Sequence, residues 1–264
     1  MGKVTEITSR GNPLLVRLRK LAGDAGSYRR LGAVLLEGEH LCEAWLARHG
    51  ATVPQAIVDD TAWREPRLRR LAEAADAVAV VPAAVLAELG TLESAAAIAF
   101  LVAPPAAAGI AAREPSLVLD RIQDPGNVGS VLRSAAAFGF TQAIALVGTA
   151  ALWAPKVVRA GMGAHFALRL VEGVDETALA ALELPLFGTS SHAGRRVDEV
   201  ALPWPCAWAF GHEGQGLGAA VASRCAAVLA IPQPGSGESL NVAAAAAACL
   251  YETVRQRTPR QPAR

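Results

Sequence analysis

Three short stretches of the chain concentrate residue types that could do chemistry. In the first, Asp124-Pro125-Gly126-Asn127-Val128-Gly129-Ser130, an amide side chain stands two residues before a glycine and six before Arg133. The second, Gly211-His212-Glu213-Gly214-Gln215-Gly216-Leu217-Gly218, sets one carboxylate among four glycines in eight residues. The third runs Ile231-Pro232-Gln233-Pro234-Gly235-Ser236-Gly237-Glu238-Ser239-Leu240-Asn241-Val242 and opens into an alanine-rich segment ending at Tyr251. Amides, hydroxyls and a carboxylate can orient a reacting hydroxyl, and backbone N–H groups at a helix start can hold a small ligand. Each stretch also has a purely structural reading. Asn127 and Ser239 could be helix caps, and Glu213 could be an acid favoured by the dipole at a helix start. The glycines of the second stretch fit that reading poorly. Each costs roughly 0.5–1 kcal/mol in conformational freedom, and close backbone approach to a ligand would account for them.

Several chemistries are excluded by what is missing. No G-x-G-x-x-G or G-x-x-x-x-G-K-[ST] motif is present, so neither a dinucleotide fingerprint nor a nucleotide-phosphate loop is supported. No G-x-S-x-G elbow supports a serine hydrolase. The five histidines (40, 49, 165, 192, 212) pair with no cysteine or carboxylate at ligand spacing, so no metal is expected. Cys42, Cys206, Cys225 and Cys249 form no C-x-x-C pair, and the last three sit in apolar runs. They read as reduced, buried thiols of a cytoplasmic protein with no secretory signal. The uninterrupted apolar run from Val242 to Leu250 is nine residues, about half of a membrane span.

The elements that must position the three stretches follow from the apolar pattern. Continuous apolar runs at Ser116–Asp120, Ala143–Val147, Ala167–Val171, Leu184–Gly188, Cys206–Phe210 and Ala226–Ile231 predict strands. Between and after them, helices are predicted from the turn at Asp124–Asn127 to about Phe138, over Trp153–Ala160, Glu176–Leu182 and Leu217–Arg224, and from Leu240 to about Arg257. This alternation implies a mostly parallel α/β sheet covered by helices on both faces. Ligands of such sheets gather at the carboxyl ends of the strands, where all three stretches fall.

The earlier part of the chain reads as a second, smaller α/β domain. A basic helix is predicted from Asn12 to about Arg30, with Leu14, Leu15, Leu18 and Leu21 on one side. Strands at Ala33–Glu37, Ala56–Val58, Ala77–Val81 and Ala97–Val102 alternate with helices at Glu39–His49, around Arg64–Arg70 and at Ala83–Leu89. Ala103-Pro104-Pro105-Ala106-Ala107-Ala108-Gly109 breaks every periodicity and reads as a linker. The expected organisation is residues 1–105, a linker over 106–115 and a second domain over 116–264. The net charge of +1 hides two basic ends. Residues 1–35 hold seven Lys/Arg against Glu6 and Asp24, and Arg255, Arg257, Arg260 and Arg264 close the chain without an acid. Local clustering of this kind, rather than the sum, bears on nucleic-acid binding.

Together the three stretches resemble the SpoU/TrmH family of RNA ribose 2′-O-methyltransferases, part of the SPOUT superfamily. The resemblance covers Leu117 to Tyr251. It is carried by Asn127, Gly129 and Arg133; by Gly211, Glu213, Gly216 and Leu217 in G-x-E-x-x-G-L; and by Ile231, Pro232, Gly235, Ser239, Leu240, Asn241 and Val242 in I-P-x-x-G-x-x-x-S-L-N-V. Gln233 departs from the pattern, in which methionine is common. Arg10-Gly11-Asn12-Pro13, the basic helix and Val34–Glu39 are similar, more loosely, to the substrate-binding domain of relatives acting on ribosomal RNA.

The resemblance implies transfer of a methyl group from S-adenosylmethionine to a ribose 2′-hydroxyl, and a homodimer formed through the C-terminal domain. It also implies a deep trefoil knot, which periodicity alone does not show and general topology rules disfavour. Gly188, Thr189, Gly211, Gly216, Ile231 and Leu240 are implied cofactor contacts. Arg133 would activate the hydroxyl; an arginine is a poor base, holding its proton above about pH 12, so a substrate phosphate would have to assist. Asn127, Glu213, Ser239 and Asn241 would orient Arg133, the ribose or the loops. Arg10, Arg17, Arg19 and Lys20 are candidate RNA contacts, with a solvated helix face as the alternative. Ribosomal RNA is the favoured substrate because of the long N-terminal domain. Transfer RNA, or a non-catalytic RNA-binding relative, is the alternative.

Overall fold

A mixed sheet of five strands and a parallel sheet of six carry the chain, in a computed structural model that describes residues 3–50, 53–89, 96–235 and 239–257. Gly237 of the third stretch, with its neighbours Ser236 and Glu238, and the terminal Arg260 and Arg264 lie outside the described residues. By their contacts the residues fall into two units. One comprises the chain up to Ala106 together with Trp153–Phe166; the other comprises Ala107–Leu152 and the chain from Ala167 onward.

The first unit is built from β1 (Lys3–Glu6), α1 (Pro13–Gly23), α2 (Ser27–Leu31), β2 (Val34–Glu37), α3 (Glu39–His49), β3 (Gln55–Asp59), α4 (Pro66–Ala72), β4 (Ala77–Val81), α5 (Ala83–Leu89) and β5 (Ile98–Val102). Its sheet order is β1-β4-β3-β5-β2, with β1, β4 and β3 parallel and β5 antiparallel to both β3 and β2. Helix α1 starts where Asn12 accepts a hydrogen bond from the Leu14 N–H at 2.9 Å, with Pro13 in the first turn. It buries Leu15, Leu18 and Leu21. The single basic helix expected to Arg30 is broken after Gly23. There the Asp24 carboxylate accepts from the Gly26 N–H at 2.9 Å, a turn that stops one helix before α2 begins. Strand β1 is not evident in the sequence, because all four of its residues are exposed at the sheet edge and show no apolar alternation.

The second sheet comprises β6 (Ser116–Asp120), β7 (Gln142–Leu146), β8 (Arg169–Val174), β9 (Leu186–Thr189), β10 (Ala207–Gly211) and β11 (Ala227–Leu229), in the order β11-β9-β10-β6-β7-β8. Every described pairing is parallel. Its helices are α6 (Pro125–Ala137), α8 (Ala219–Arg224) and α9 (Val242–Arg257); the remaining helix, α7 (Pro155–Gly161), packs on β2 and belongs to the first unit. All residues of β6, β7 and β10 are buried, as strands covered on both faces must be. On one face Val118, Ile144, Leu146, Ala207 and Ala209 pack with Val221 of α8. On the other, the buried Trp208 indole N–H donates to Thr253 of α9 at 3.0 Å. Ahead of β6, the buried Gln142 side chain accepts from the Ala111 N–H (2.7 Å) and donates to the Ala111 carbonyl (3.1 Å) and Ser116 Oγ (2.7 Å), fastening that stretch to the second unit. No helix among the described residues is long and apolar enough to cross a membrane.

Candidate active site

Strands β11, β9, β10 and β6 lie side by side in that order, so the loops leaving their carboxyl ends share one edge of the sheet. Those loops are the three chemistry-bearing stretches, together with Thr189–His192 after β9.

A ladder of side-chain hydrogen bonds ties the three stretches to one another. Asn241 Nδ2 donates to Asn127 Oδ1 at 2.9 Å, and Asn127 Nδ2 donates to Glu213 Oε1 at 3.1 Å. The Glu213 carboxylate also accepts from the backbone N–H groups of Asp124 (3.2 Å) and Gln123 (3.3 Å). Burial pushes the Glu213 pKa up, but the donors of Asn127 and of the backbone outweigh it and hold the carboxylate below its usual range. Both helix starts are capped from within the same group. The Asp124 side chain accepts from the Asn127 N–H at 2.7 Å, and Asn241 Oδ1 accepts from the N–H groups of Ala243 (2.9 Å) and Ala244 (3.4 Å). The cap of α9 is therefore Asn241 and not Ser239, because the helix begins two residues later than the sequence pattern suggests.

Beside the ladder opens a cleft of about 890 Å³, lined by the ends of β9 and β10 and by the second and third stretches. Thr189, Gly211, Gly216, Ile231 and Leu240 line it, as do Glu213, Ser239 and Asn241. Its size lies in the range of small-molecule and cofactor sites. The second stretch folds back on itself: His212 and Gly216 exchange backbone hydrogen bonds at 3.1 and 2.8 Å, and His212 Nδ1 accepts from the N–H groups of Gly214 (3.0 Å) and Gln215 (3.3 Å). A Cβ on Gly211 would overlap the Gly216 carbonyl and the Leu217 nitrogen, so only glycine permits this close fold. Gly188 does not line the cleft. It is buried beneath it, where a Cβ would stand 2.6 Å from Leu217 Cδ1.

The sequence model described as the SpoU rRNA Methylase family matches residues 114–251, the segment that supplies this edge. The chain belongs to the SpoU rRNA methylase family. Over nearly the full length it is 34% identical to a protein of Synechocystis named as an uncharacterized tRNA/rRNA methyltransferase, covering 96% of this chain and 94% of that one. It is 32% identical to the 23S rRNA (guanosine(2553)-2′-O)-methyltransferase RlmP of Bacillus subtilis, covering 82% and 86% of the two chains. Among solved structures, AviRb of Streptomyces viridochromogenes in complex with AdoMet superposes with a TM-score of 0.83 at 30% identity, covering 93% of this chain and 98% of that one.

Within the family frame, the structure does not draw all the expected residues into one contact group. Asn127, Glu213 and Asn241 form the ladder, while Ser239 lines the cleft without joining it. Arg133 lies on the exposed side of α6, outside the cleft lining, and makes no ion pair among the described residues. Three of the four candidate RNA contacts in the first unit are engaged internally. Arg17 donates to the Leu31 carbonyl (2.8 Å), Arg19 to the Arg10 carbonyl (2.7 Å), and Arg10 pairs with Glu88; Lys20 faces solvent in the last turn of α1. Residues that the motifs did not single out also reach this edge: Asp120 and Arg121 at the end of β6, Thr149, and Ser190 and His192 in the cleft wall. The free cysteines stay out of the chemistry. Burial raises Cys206 and Cys249 to about 12 and Cys225 to about 11, leaving the thiols protonated and unreactive at neutral pH.

Proposed function

We propose that the protein transfers a methyl group from S-adenosylmethionine to a ribose 2′-hydroxyl of RNA, with large-subunit ribosomal RNA as its substrate. The observation that carries this reading is the Glu213–Asn127–Asn241 ladder, which joins the three family stretches beside a cofactor-sized cleft. Bound there, the cofactor supplies an electrophilic methyl group on a sulfonium. The chain's part is to hold and orient. The backbone of Gly211, Gly214 and Gly216 and the side chains of Thr189, Ile231 and Leu240 wall the cleft, and the absence of a Cβ at Gly211 lets the loop fold close against it. The ladder fixes the α6 start relative to the cleft, and α6 carries Arg133. Arg133 stabilises the oxygen of the 2′-hydroxyl as it loses its proton, and a substrate phosphate assists the proton's departure. Ser239 and Asn241 orient the ribose.

The ribosomal substrate is supported by the RlmP relative, named for 23S rRNA, and by the presence in this chain of the first unit as well as the second. The Synechocystis relative, named for both RNAs, keeps transfer RNA as the alternative. The protein acts in the cytoplasm as a homodimer formed through the C-terminal domain. Consistent with a covered surface there, Tyr251 of α9 is 56% exposed and meets Phe138 edge-on at the end of α6. The C-terminal segment is threaded as the deep trefoil knot that the family resemblance implies.

The direct test is Arg133→Ala. Methyl transfer to ribosomal RNA should fall by at least about a hundredfold, while calorimetry gives an unchanged affinity for S-adenosylmethionine. Equal loss of binding and turnover would remove Arg133 from the chemistry.

A further inference from the structure

Strand β6 ends on a feature that the three motifs do not include. Asp120 is buried, and the next residue, Arg121, takes φ +61°, a left-handed conformation disfavoured for any residue with a side chain. The turn is held from β7's exit. The Arg121 N–H donates to Thr149 Oγ1 at 3.0 Å, and the Thr149 hydroxyl donates to the Leu119 carbonyl at 2.8 Å. So turned, the guanidinium reaches two places at once. Toward the strand, Nε donates to Asp120 Oδ1 (2.9 Å) and Nη2 to Oδ2 (3.4 Å). Toward the second stretch, Nη1 donates to Gln215 Oε1 (3.0 Å) and Nη2 to the Gly216 carbonyl (3.3 Å). Asp120 adds its own hold by accepting from the Gly218 N–H at 2.6 Å. Two glycines leave the slot for this side chain: a Cβ on Gly148 would stand 3.1 Å from Arg121 Cγ, and one on Gly218 would stand 3.3 Å from Nη2.

We propose that Arg121 is a positioning residue for the reaction: with Asp120 it clamps the Gly211–Gly218 loop to the end of β6, so that the loop's backbone walls the cofactor cleft and Glu213 reaches Asn127. This rests on the reading that the cleft takes S-adenosylmethionine. The ion pair alone would carry little, since the Arg121 side chain is 33% exposed. Its worth lies in where the remaining donors point, at the two residues that close the turn on which Gly214 and Gly216 are displayed. Nothing else described from β6 holds that turn by side chain, apart from Asp120 on Gly218.

The test uses Arg121→Gly, which suits the left-handed backbone and removes the whole side chain, guanidinium included. The Michaelis constant and calorimetric dissociation constant for S-adenosylmethionine should rise roughly tenfold, as for loss of a charged hydrogen bond. At saturating cofactor, kcat should stay within about threefold of the parent. A role in folding alone would lower kcat through loss of active molecules and leave KM unmoved. Arg121→Lys, which keeps the charge without the fork, should fall between the two. Should Arg121→Gly fail to fold, Gln215→Ala removes one partner of the clamp from an exposed loop and should still raise KM about two- to fivefold. Values within twofold of the parent in both Arg121→Gly and Gln215→Ala, or in Gln215→Ala alone where Arg121→Gly does not fold, would overturn the proposal. Ala245→Trp, which fills the cleft wall, separates the two claims. If it leaves cofactor binding intact, the reading of the cleft is wrong; if it abolishes binding while the clamp variants bind normally, only the clamp is.

Discussion

The Asn127 side chain offers an accepting oxygen and a donating nitrogen, and the fold uses each, the oxygen for Asn241 and the nitrogen for Glu213. That double use explains why an amide, which a helix start alone would not require, stands here; the capping itself falls to Asp124. Glu213 gains from the same bond. Its pKa is held below the usual glutamate range, so the folded loop favours the ionised form. The sign follows from linkage. A carboxylate with a depressed folded pKa contributes stability in full above the unfolded pKa of about 4.3, and loses it as pH falls further through the folded value. The difference in unfolding midpoint between the parent and Glu213→Gln should therefore be flat from about pH 8 to about pH 5 and shrink only at more acid pH. A difference that already shrinks between about pH 8 and pH 6 would show that another group governs the loop.

At the scale of elements, the second stretch makes the sharpest demand on sequence. Gly211→Ala would press a methyl into the backbone of Gly216 and Leu217, whereas a Cβ on Gly214 would meet only the His212 ring, at 3.8 Å. Gly211→Ala should thus abolish cofactor binding, and Gly214→Ala should keep affinity within about threefold, both read by calorimetry. Much of this loop architecture was legible in advance, because amides, a carboxylate and glycines gathered at predicted strand ends leave few alternatives. Other features were not. Ser239 and Asn241 are both capping residue types, and only the start of α9 at Val242 decides for Asn241. Arg121 sits in a left-handed turn that sequence reading expects of glycine, so nothing marked it. Strand β1 has no buried face to impress a period on its residues. Helix α1 was legible by its leucines, but its arginines were not, since whether a guanidinium faces RNA or a carbonyl depends on tertiary placement. With Arg17 and Arg19 holding the Leu31 and Arg10 carbonyls, Lys20 is the better phosphate contact. Lys20→Ala should flatten the salt dependence of RNA affinity by about one phosphate contact without changing the unfolding midpoint. Arg17→Ala should instead lower the midpoint by about 2–4 °C, as measured by thermal unfolding.

Across the whole molecule, the parallel strands end along one edge, a ladder locks three loops together there, and similarity to the Synechocystis relative runs along nearly the full chain. In the proposed function the second unit is the seat of chemistry and the first brings the RNA. The proposed homodimer is checked by sedimentation, where a single species of twice the chain mass is expected and a monomer at micromolar concentration would remove it. Methyl transfer itself can be read directly. The purified protein, ribosomal RNA from cells lacking it, and S-adenosylmethionine carrying an isotopic methyl group are combined, and the modified nucleotide is mapped by mass spectrometry of RNA fragments. One labelled 2′-O-methylribose in large-subunit RNA, absent with Arg133→Ala, is the predicted result. Label on a base, or no label on ribosomal RNA while the protein binds the cofactor, would contradict it.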